Sequence, residues 1–285
     1  MDSRELGLVL GQQLTGLEDL HYGFWEAGQA PTFTDFHGAQ QRYTDLILSA
    51  VTAAGGGPGA RVLDVGCGTG EIIRQLLERG CRADGVIPAR YLEQQVRRKV
   101  AAVTGYMPVI HGYRFEDFPF DELRGHYDVV LFSESFQYIA LRDCLRGAMT
   151  LLRPGGRIVI CDFFKTGHEG DGGFGDKSFR GGHDLAEFYQ VVAGHGLSID
   201  LDRDITSNMS PNITLVDELL MKRGLPALRT LDQYLTGRHP LFMRLFRFLF
   251  RHKLAKMSFK YFSGHRTQAV FERYKSYRLL TLVKP

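Results

Sequence analysis

The chain has 285 residues, 44% of them hydrophobic, and a formal net charge of +3, which suits one α/β domain with an elaboration. No apolar stretch approaches the roughly 20 residues needed to cross a bilayer, and the start of the chain lacks the pattern of an export signal. The four cysteines are far apart, which argues against a disulfide framework or a zinc site, so we expect a cytoplasmic protein without a bound metal.

From residue 61 to residue 160 the chain alternates short apolar runs with longer segments of helical spacing. This alternation predicts a doubly wound α/β sheet of parallel strands joined by helices, with both faces of the sheet covered. A glycine pair, Gly155 and Gly156, supplies the turn before the fifth strand. The predicted strands are 61–65, 83–87, 108–111, 127–132, 157–162, 197–205 and 276–283, and the predicted helices include 71–78 and 91–103.

Three regions surround this predicted sheet. Residues 17–53 hold an aromatic cluster followed by a helix, and residues 167–182 are glycine-rich and predict a mobile loop. Residues 206–273 separate the last two strands and predict a helical insertion. We therefore divide the chain into a cap, a core and a lid, which are residues 1–54, residues 55–205 with 274–285, and residues 206–273.

The first predicted strand leads straight into a glycine-rich turn and then a helix, in the sequence VLDVGCGTGE of residues 62–71. Glycine allows positive φ angles there and lets a ligand approach the backbone. A dinucleotide site would have a third glycine at position 71, where this chain has Glu71, and a carboxylate there disfavours pyrophosphate. A ligand that carries a cationic ammonium and a sulfonium is a better match for a turn flanked by Asp64 and Glu71.

The run VLDVGCGTG resembles the first motif of class I S-adenosylmethionine-dependent methyltransferases. Later segments agree with this family in order and spacing, namely RFEDFPF at 114–120, YDVVL at 127–131 and LLRPGGR at 151–157. The resemblance covers about Leu20 to Asp204. It implies a Rossmann-like, seven-stranded, mostly parallel sheet with helices on both faces, an antiparallel last strand, and S-adenosylmethionine as the cofactor.

The resemblance also implies a set of cofactor-binding residues. Where family members have an acidic residue for the ribose hydroxyls, this chain has Ile87, which we expect to pack against adenine, while Asp84 lies too early. The segment LHYGFW at 20–25 is similar to a signature that closes over the cofactor in small-molecule methyltransferases; a helix start packed by aromatic residues is the alternative. The predicted residues are Tyr22, Trp25, Asp64, Gly66, Cys67, Gly68, Gly70, Ile87, Phe115, Glu116 and Ser133.

Methyl transfer from a sulfonium requires alignment of donor and acceptor, and a proton acceptor where the nucleophile is a hydroxyl. The catalytic candidates are Glu134 and Tyr138, which follow the fourth strand at the carboxyl edge of the sheet, and His183, which follows the glycine-rich loop. Glu134 either accepts from the methionine ammonium or faces the substrate. His21 and His111 are further candidates for a base, and a helix cap, core packing or a solvated surface position is the alternative for each residue.

Residues 233–271 contain eight basic residues and no acidic residue. Within them, residues 240–262 predict an amphipathic helix that has Arg244, Arg247 and Arg251 on one stripe. Three interpretations stay open: a lid over an apolar pocket, a peripheral membrane contact that delivers a lipophilic substrate, and ordinary packing with a solvated face. The first two favour a lipophilic or aromatic acceptor.

The sequence therefore predicts a methyltransferase that acts on the oxygen, nitrogen or carbon of a small organic substrate. A nicotinamide-dependent oxidoreductase of Rossmann type is disfavoured by Glu71. A catalytically inactive, methyltransferase-like binding protein is allowed by Ile87, although the intact glycine turn argues against it. Nucleic acid is not expected as a partner, because no binding module is recognised and the basic stretch is interleaved with aliphatic residues.

Overall fold

The computed structural model describes residues 21–168, 181–262 and 264–285, together with residues 9, 12, 13, 16, 18, 19 and 179. They include a seven-stranded sheet in the order β3-β2-β1-β4-β5-β7-β6. Its strands are β1 (Arg61–Val65), β2 (Arg82–Val86), β3 (Ile110–His111), β4 (Tyr127–Ser133), β5 (Leu152–Lys165), β6 (Ser198–Asp204) and β7 (Lys275–Val283). The first five strands are parallel and β7 is antiparallel to both neighbours, which confirms the predicted fold.

Helices cover both faces of this sheet, as predicted. They are α1 (Phe36–Ala53), α2 (Glu71–Glu78), α3 (Arg90–Val100), α4 (Leu141–Leu151) and α5 (Leu185–Gly194). One apolar core packs α1, α2 and α3 against the sheet, and a second packs α4 and α5 against the other face. The predicted mobile loop falls mostly on residues 169–178 and 180, which lie outside the described residues.

A buried carboxylate on β2 ties three parts of the sheet together. Asp84 accepts hydrogen bonds from the hydroxyls of Tyr106 and Tyr127, both at 3.1 Å, and from the backbone N–H of Val109 at 2.8 Å. These donors offset the cost of burying the charge. Asp84 is thus occupied inside the sheet, in agreement with the prediction that it points away from a ligand at the end of β2.

Strand β5 begins earlier than the sequence predicted. The expected turn at Gly155 and Gly156 lies inside the strand, which starts at Leu152 opposite Tyr127. The register of β4 with β5 shifts between Tyr127 and Val129, and Gly155 has a φ of 72°. The two glycines therefore allow a local register shift within a continuous strand. They do not form a separate turn that precedes the strand.

The insertion between β6 and β7 has two parts. Its helices are α6 (Thr206–Met209), α7 (Pro211–Glu218), α8 (Leu225–Arg238), α9 (Pro240–Phe262) and α10 (Gln268–Tyr274), with a π-helical turn at Leu219–Gly224. Helices α6, α7 and α10 pack on the core, whereas α8 and α9 form a helical hairpin, residues 225–262. Among the described residues, no helix combines the length and apolarity needed to span a membrane.

Candidate active site

The turn between β1 and α2 is built from three glycines with left-handed backbone conformations. Gly66, Gly68 and Gly70 have φ angles of 79°, 55° and 85°. A Cβ at Gly66 would overlap the side chain of Ser135, and one at Gly70 would lie 2.9 Å from Cγ1 of Val96. A Cβ at Gly68 would meet no heavy atom within 4 Å. Gly68 is therefore the glycine whose open side allows a ligand to approach.

Asp64, on the strand that leads into this turn, is a buried carboxylate without a protein partner. The residue is 1% exposed, and neither carboxylate oxygen has a hydrogen-bond partner among the described residues. Burial raises the pKa of Asp64 to about 7, and the pKa of Cys67 is raised well above its usual value by burial and then by Asp64. An isolated buried carboxylate is unfavourable, so a cationic ligand group at this position would stabilise it.

Glu71, the first residue of α2, is held in its ionised form by neighbouring cations. The Nε of Arg74 donates to Glu71 at 3.0 Å, and the Nζ of Lys99 lies 3.3 Å from the same carboxylate. Burial alone would raise the pKa of Glu71, but these neighbours lower it to about 2. A second acidic residue, Asp19, accepts a hydrogen bond from Thr69 in the turn at 3.0 Å. Asp19, which precedes the aromatic signature, was not predicted from the sequence.

The aromatic signature that follows is fastened to the insertion by one buried amide. The Oδ1 of Asn212 in α7 accepts from the backbone N–H of Gly23 at 2.9 Å and from the indole N–H of Trp25 at 3.1 Å. Its Nδ2 donates to the carbonyls of Gly23 and Met209, both at 2.7 Å. Every hydrogen-bonding position of this amide is thus used. Asn212 was not predicted from the sequence, because nothing local marks it as the partner of a segment 187 residues away.

Trp25 does not have the role that the resemblance implied. It is 0% exposed and lies in a small cluster with Ala39 and Leu215, with its ring parallel to that of Phe36. Unlike Asp64, Trp25 is satisfied by protein partners, because its indole N–H donates to Asn212 and its ring is enclosed by apolar side chains. The prediction that Trp25 contacts the cofactor is therefore wrong, and the alternative of aromatic packing at a helix start describes it.

Gly23 is required by close packing, which leads to a test. A Cβ at Gly23 would lie 2.5 Å from the Cβ of Ala39 in α1. We expect Gly23→Ala to lower the free energy of unfolding by about 1–3 kcal/mol through overpacking, as measured by urea denaturation. Adding Ala39→Gly should recover part of this loss, since the two methyl groups occupy the same space. Strictly additive losses in the double variant would contradict the contact.

Glu134 follows β4 and connects the cap to the last strand. It has a φ of 55°, the one positive φ angle among the described non-glycine residues. Its Oε1 accepts from the backbone N–H of Tyr22 at 3.1 Å and from the hydroxyl of Tyr277 at 2.8 Å. Burial raises the pKa of Glu134, while His21 nearby lowers it. A sparsely populated backbone conformation that holds a half-buried acid at the sheet edge is typical of a functional position.

Next to Glu134, the hydroxyl of Ser133 is paired with α1. The Oγ of Ser133 lies 2.9 Å from the hydroxyl of Tyr43, whose ring stacks on His21 with centroids 4.8 Å apart. Burial raises the pKa of Tyr43 well above its usual value, so this hydroxyl is neutral. Ser133 is half-buried, and its role in cofactor binding remains a prediction.

The other two catalytic candidates lie close to the same edge. Tyr138 is 64% exposed. His183 is half-buried, with its Nε2 3.1 Å from the carbonyl of Phe136 and its ring edge-on to that residue. The pKa of Tyr22 is raised to about 12 by burial, then by Glu134, while Arg266 lowers it and Tyr138 and Asp162 raise it further. The cap tyrosine thus has acidic and phenolic neighbours together with a cation.

Asp162 on β5 is an acidic residue at this edge that was not predicted from the sequence. It is 0% exposed and accepts from the backbone N–H and the side-chain amide of Gln137, both at 3.0 Å. Burial raises its pKa to about 7. The sequence feature that could have identified Asp162 is an acidic residue near the carboxyl end of a predicted buried strand. Its hydrogen bonds hold the 3₁₀ turn Phe136–Tyr138, which presents Tyr138.

The side chains of the predicted adenine contacts Ile87 and Phe115 are both largely buried, each in the apolar core on one face of the sheet. Ile87 is 6% exposed in the core shared with α2, and its backbone N–H donates to the carbonyl of His111 at 2.9 Å. Phe115 is 3% exposed and packs edge-on against Phe120 and Phe132 on the opposite face. The prediction that the Phe115 side chain contacts the cofactor is therefore wrong. A contact through the backbone of Phe115 stays a prediction.

His111 ends β3, and Glu116 lies in the 3₁₀ turn Phe115–Asp117 that follows it. Glu116 is exposed and lines a cleft with α4 that also includes Asp143 and Thr150. The Nδ1 of His111 lies 2.7 Å from the hydroxyl of Tyr113, and burial lowers the pKa of His111. A neutral histidine occupied by a tyrosine is a weaker candidate for a base than Glu134.

The comparisons with known proteins agree with this geometry. A family model described as a methyltransferase domain matches residues 36–198. The chain belongs to this family. The 27-O-demethylrifamycin SV methyltransferase of Amycolatopsis mediterranei is 30% identical over 154 residues, which are 53% of each chain. The ubiquinone biosynthesis O-methyltransferase of Acinetobacter baylyi is 28% identical over 54% of this chain and 61% of its own. The chain thus spans about half the length of the curated relatives that it matches.

Solved structures share the fold across the whole chain at low identity. A putative sarcosine dimethylglycine methyltransferase from Galdieria sulphuraria superposes with a TM-score of 0.73 at 16% identity, over 99% of this chain and 98% of that one. Geranyl diphosphate C-methyltransferase from Streptomyces coelicolor gives 0.66 at 16%, over 97% and 92%. The [4+2]-cyclase SpnF gives 0.68 at 18%, over 99% and 93%. These likenesses establish the fold of the methyltransferase domain.

The residues of this methyltransferase domain fit the cofactor that the resemblance implied. S-adenosylmethionine combines a cationic ammonium with a sulfonium, and the turn offers a carboxylate without a partner, Asp64, beside an open backbone, Gly68. Among the residues that the structure describes, no group of three or more histidine, cysteine or acidic side chains is arranged to hold a metal ion.

Proposed function

We propose that this chain is an S-adenosylmethionine-dependent methyltransferase that methylates a small organic acceptor on oxygen, nitrogen or carbon. The observation that carries the proposal is the pairing, in a chain of this family, of a buried carboxylate without a partner and a glycine open to ligand. Relatives named for rifamycin and ubiquinone methylation support a small acceptor.

The proposed cofactor site combines the turn with the strand ends beside it. Asp64 would pair with the ammonium of the cofactor, and the backbone of Gly66, Cys67, Gly68 and Gly70 would hold its methionine portion. Ile87 stays a predicted apolar neighbour of adenine through the 6% of its surface that is exposed, and Tyr22 would place a neutral aromatic ring near the sulfonium. When bound, the cofactor supplies a methyl group that is activated by positive charge.

The protein then has to orient the acceptor, exclude water and, for a hydroxyl acceptor, take up a proton. Glu134 is the proposed proton acceptor, since its half-buried carboxylate has a raised pKa and is fixed by Tyr22 and Tyr277. Tyr138 and His183 are proposed to contact the acceptor from the 3₁₀ turn and from the end of the glycine-rich loop.

Substitution of Glu134 by glutamine separates this role from ammonium binding. The amide oxygen can still accept from Tyr22 and Tyr277, so we expect an intact fold and unchanged affinity for S-adenosylhomocysteine. Turnover on a hydroxyl acceptor should fall by about 100-fold or more, because the proton acceptor is lost. Steady-state kinetics and calorimetry measure the two effects. A fall in S-adenosylhomocysteine affinity with unchanged turnover would assign Glu134 to the ammonium instead.

A binding titration tests the function as a whole. We expect S-adenosylhomocysteine to bind in the nanomolar to micromolar range and NAD not to bind, because Glu71 stays ionised where pyrophosphate would lie. Transfer of a labelled methyl group to a panel of phenols, quinols and polyketide-like compounds then tests catalysis. Binding of S-adenosylhomocysteine without transfer to any acceptor would favour a methyltransferase-like protein of another activity. SpnF, named as a cyclase, shows that the fold permits this outcome.

The arrangement of the chain suggests refinements of the predicted parts. We retain residues 1–54 as a cap and residues 55–205 with 274–285 as the core. For residues 206–273 we propose that α6, α7 and α10 complete the site, while the hairpin lies apart from it. A lipophilic acceptor and contact of residues 240–262 with a membrane belong to the same proposal. A cytoplasmic location is supported by the four cysteines, which are free and buried.

A further inference from the structure

The helical hairpin, residues 225–262, exposes large apolar side chains on both of its helices. On α9, Leu241 is 81% exposed, and Phe248 and Leu249 are each 64% exposed. On α8, Leu231 and Tyr234 are 52% and 60% exposed. Folded proteins rarely leave a contiguous apolar patch of this kind in water. The hairpin is therefore a candidate interaction surface.

The side chains of α9 divide into three faces. One face packs on the protein and includes Met243, which is 6% exposed. A second face is apolar and open to solvent, and its residues follow the i, i+4, i+7, i+8 spacing of a helical stripe: Leu241, Leu245, Phe248 and Leu249. The third face, next to the second, carries the arginine stripe of residues 244, 247 and 251. An apolar face bordered by cations is thus presented outward.

The charge of the hairpin indicates which partner fits this face. Residues 225–262 contain eight basic residues and a single acidic one, Asp232, which is paired with Arg247 at 2.7 Å. The guanidinium of Arg251 lies over the ring of Phe248, 5.4 Å from its centroid. Long basic side chains beside exposed aromatic and leucine residues match a boundary where apolar chains adjoin negatively charged groups.

We propose that the hairpin docks on the surface of a lipid bilayer that contains anionic headgroups. Leu241, Leu245, Phe248 and Leu249 enter the boundary between headgroups and acyl chains, and Arg244 and Arg251 bind lipid phosphates, while Arg247 is held by Asp232 and Thr236 of α8. The helix lies in the plane of the membrane. The proposal is tested separately from the proposed function, because vesicle binding is measured without any acceptor or cofactor.

The hairpin is continuous with the element that holds the cap. The hairpin continues from α7 through the π-helical turn, and Asn212 of α7 holds the cap segment that contains Tyr22. A bilayer bound to the hairpin therefore adjoins the element that carries the cap.

Co-sedimentation of the full chain with vesicles tests the proposal. We expect binding to vesicles of phosphatidylcholine mixed with phosphatidylglycerol, little binding to phosphatidylcholine alone, and weaker binding as salt is raised. Phe248→Ser together with Leu249→Ser should lower the bound fraction by about tenfold or more, because two apolar insertions are lost. Circular dichroism and the urea midpoint check that the variant is folded.

A matched control removes exposed apolar residues elsewhere. Met107 and Val109 are 84% and 50% exposed near the start of β3, so Met107→Ser with Val109→Ser should bind vesicles as the unmodified chain does. Equal binding to both kinds of vesicle, or full binding by the Phe248 and Leu249 variant, would overturn the proposal. Concentration-dependent self-association that the same variant abolishes, without vesicle binding, would assign the face to a second copy of the chain.

Discussion

Gly68→Val is expected to abolish the binding of S-adenosylhomocysteine, with a rise of at least about 100-fold in Kd by calorimetry, in a protein that still folds. A Cβ at this position meets no protein atom within 4 Å, so the added side chain fills only the space that a ligand needs. The φ of 55° adds backbone strain of about 1–2 kcal/mol, which a domain of this size tolerates. The effect should therefore fall on binding more than on folding.

Gly125→Val is the matched control for this prediction. Gly125 has a φ of 67°, and a Cβ there also meets no atom within 4 Å, but it lies before β4, far along the chain from the turn. Both variants should lose similar free energy of unfolding in urea, and only Gly68→Val should lose affinity. If Gly68→Val bound S-adenosylhomocysteine as tightly as the unmodified chain, the turn would not be the cofactor site.

The sheet was predictable because its strands are enclosed on both faces. Burial selects continuous apolar runs, and a helix that starts after a left-handed glycine has a sharp beginning, so residues 61–65 and 71–78 match β1 and α2. The family identification was confirmed for a related reason. The glycines at 66, 68 and 70 each have a positive φ, and this backbone requirement is readable from residue type alone.

Other features depended on partners that are remote in the sequence. The direction of Trp25 is set by Asn212, and the direction of Phe115 by an aromatic cluster on the far face of the sheet. The predicted lid was a choice among three interpretations of one amphipathic pattern. That pattern does not indicate which apolar residues pack against protein and which are exposed to solvent. In the structure Met243 is buried while Leu241 is exposed, two residues apart on one helix.

The ionisation of Asp64 should couple cofactor binding to pH. The raised pKa of about 7 means that the folded protein binds a proton more tightly than the unfolded chain does. This term stabilises the fold at low pH and is lost as the pH rises from about 4 through 7. The cationic ammonium favours the ionised form, so affinity for S-adenosylhomocysteine should rise by up to about tenfold per pH unit below 7 and level off above it. Calorimetry between pH 5 and pH 9 measures this profile.

Asp64→Asn should weaken the binding of S-adenosylhomocysteine by about 100-fold at pH 8 and abolish this pH dependence, because the charge-assisted contact to the ammonium is lost. The free energy of unfolding at pH 8 should rise or stay unchanged, since a buried charge without a partner is removed. Asp84→Asn is the matched control with the opposite pattern. It should destabilise the fold, because Asp84 accepts from Tyr106 and Tyr127, and leave affinity unchanged. Undiminished affinity in Asp64→Asn would remove this carboxylate from the cofactor site.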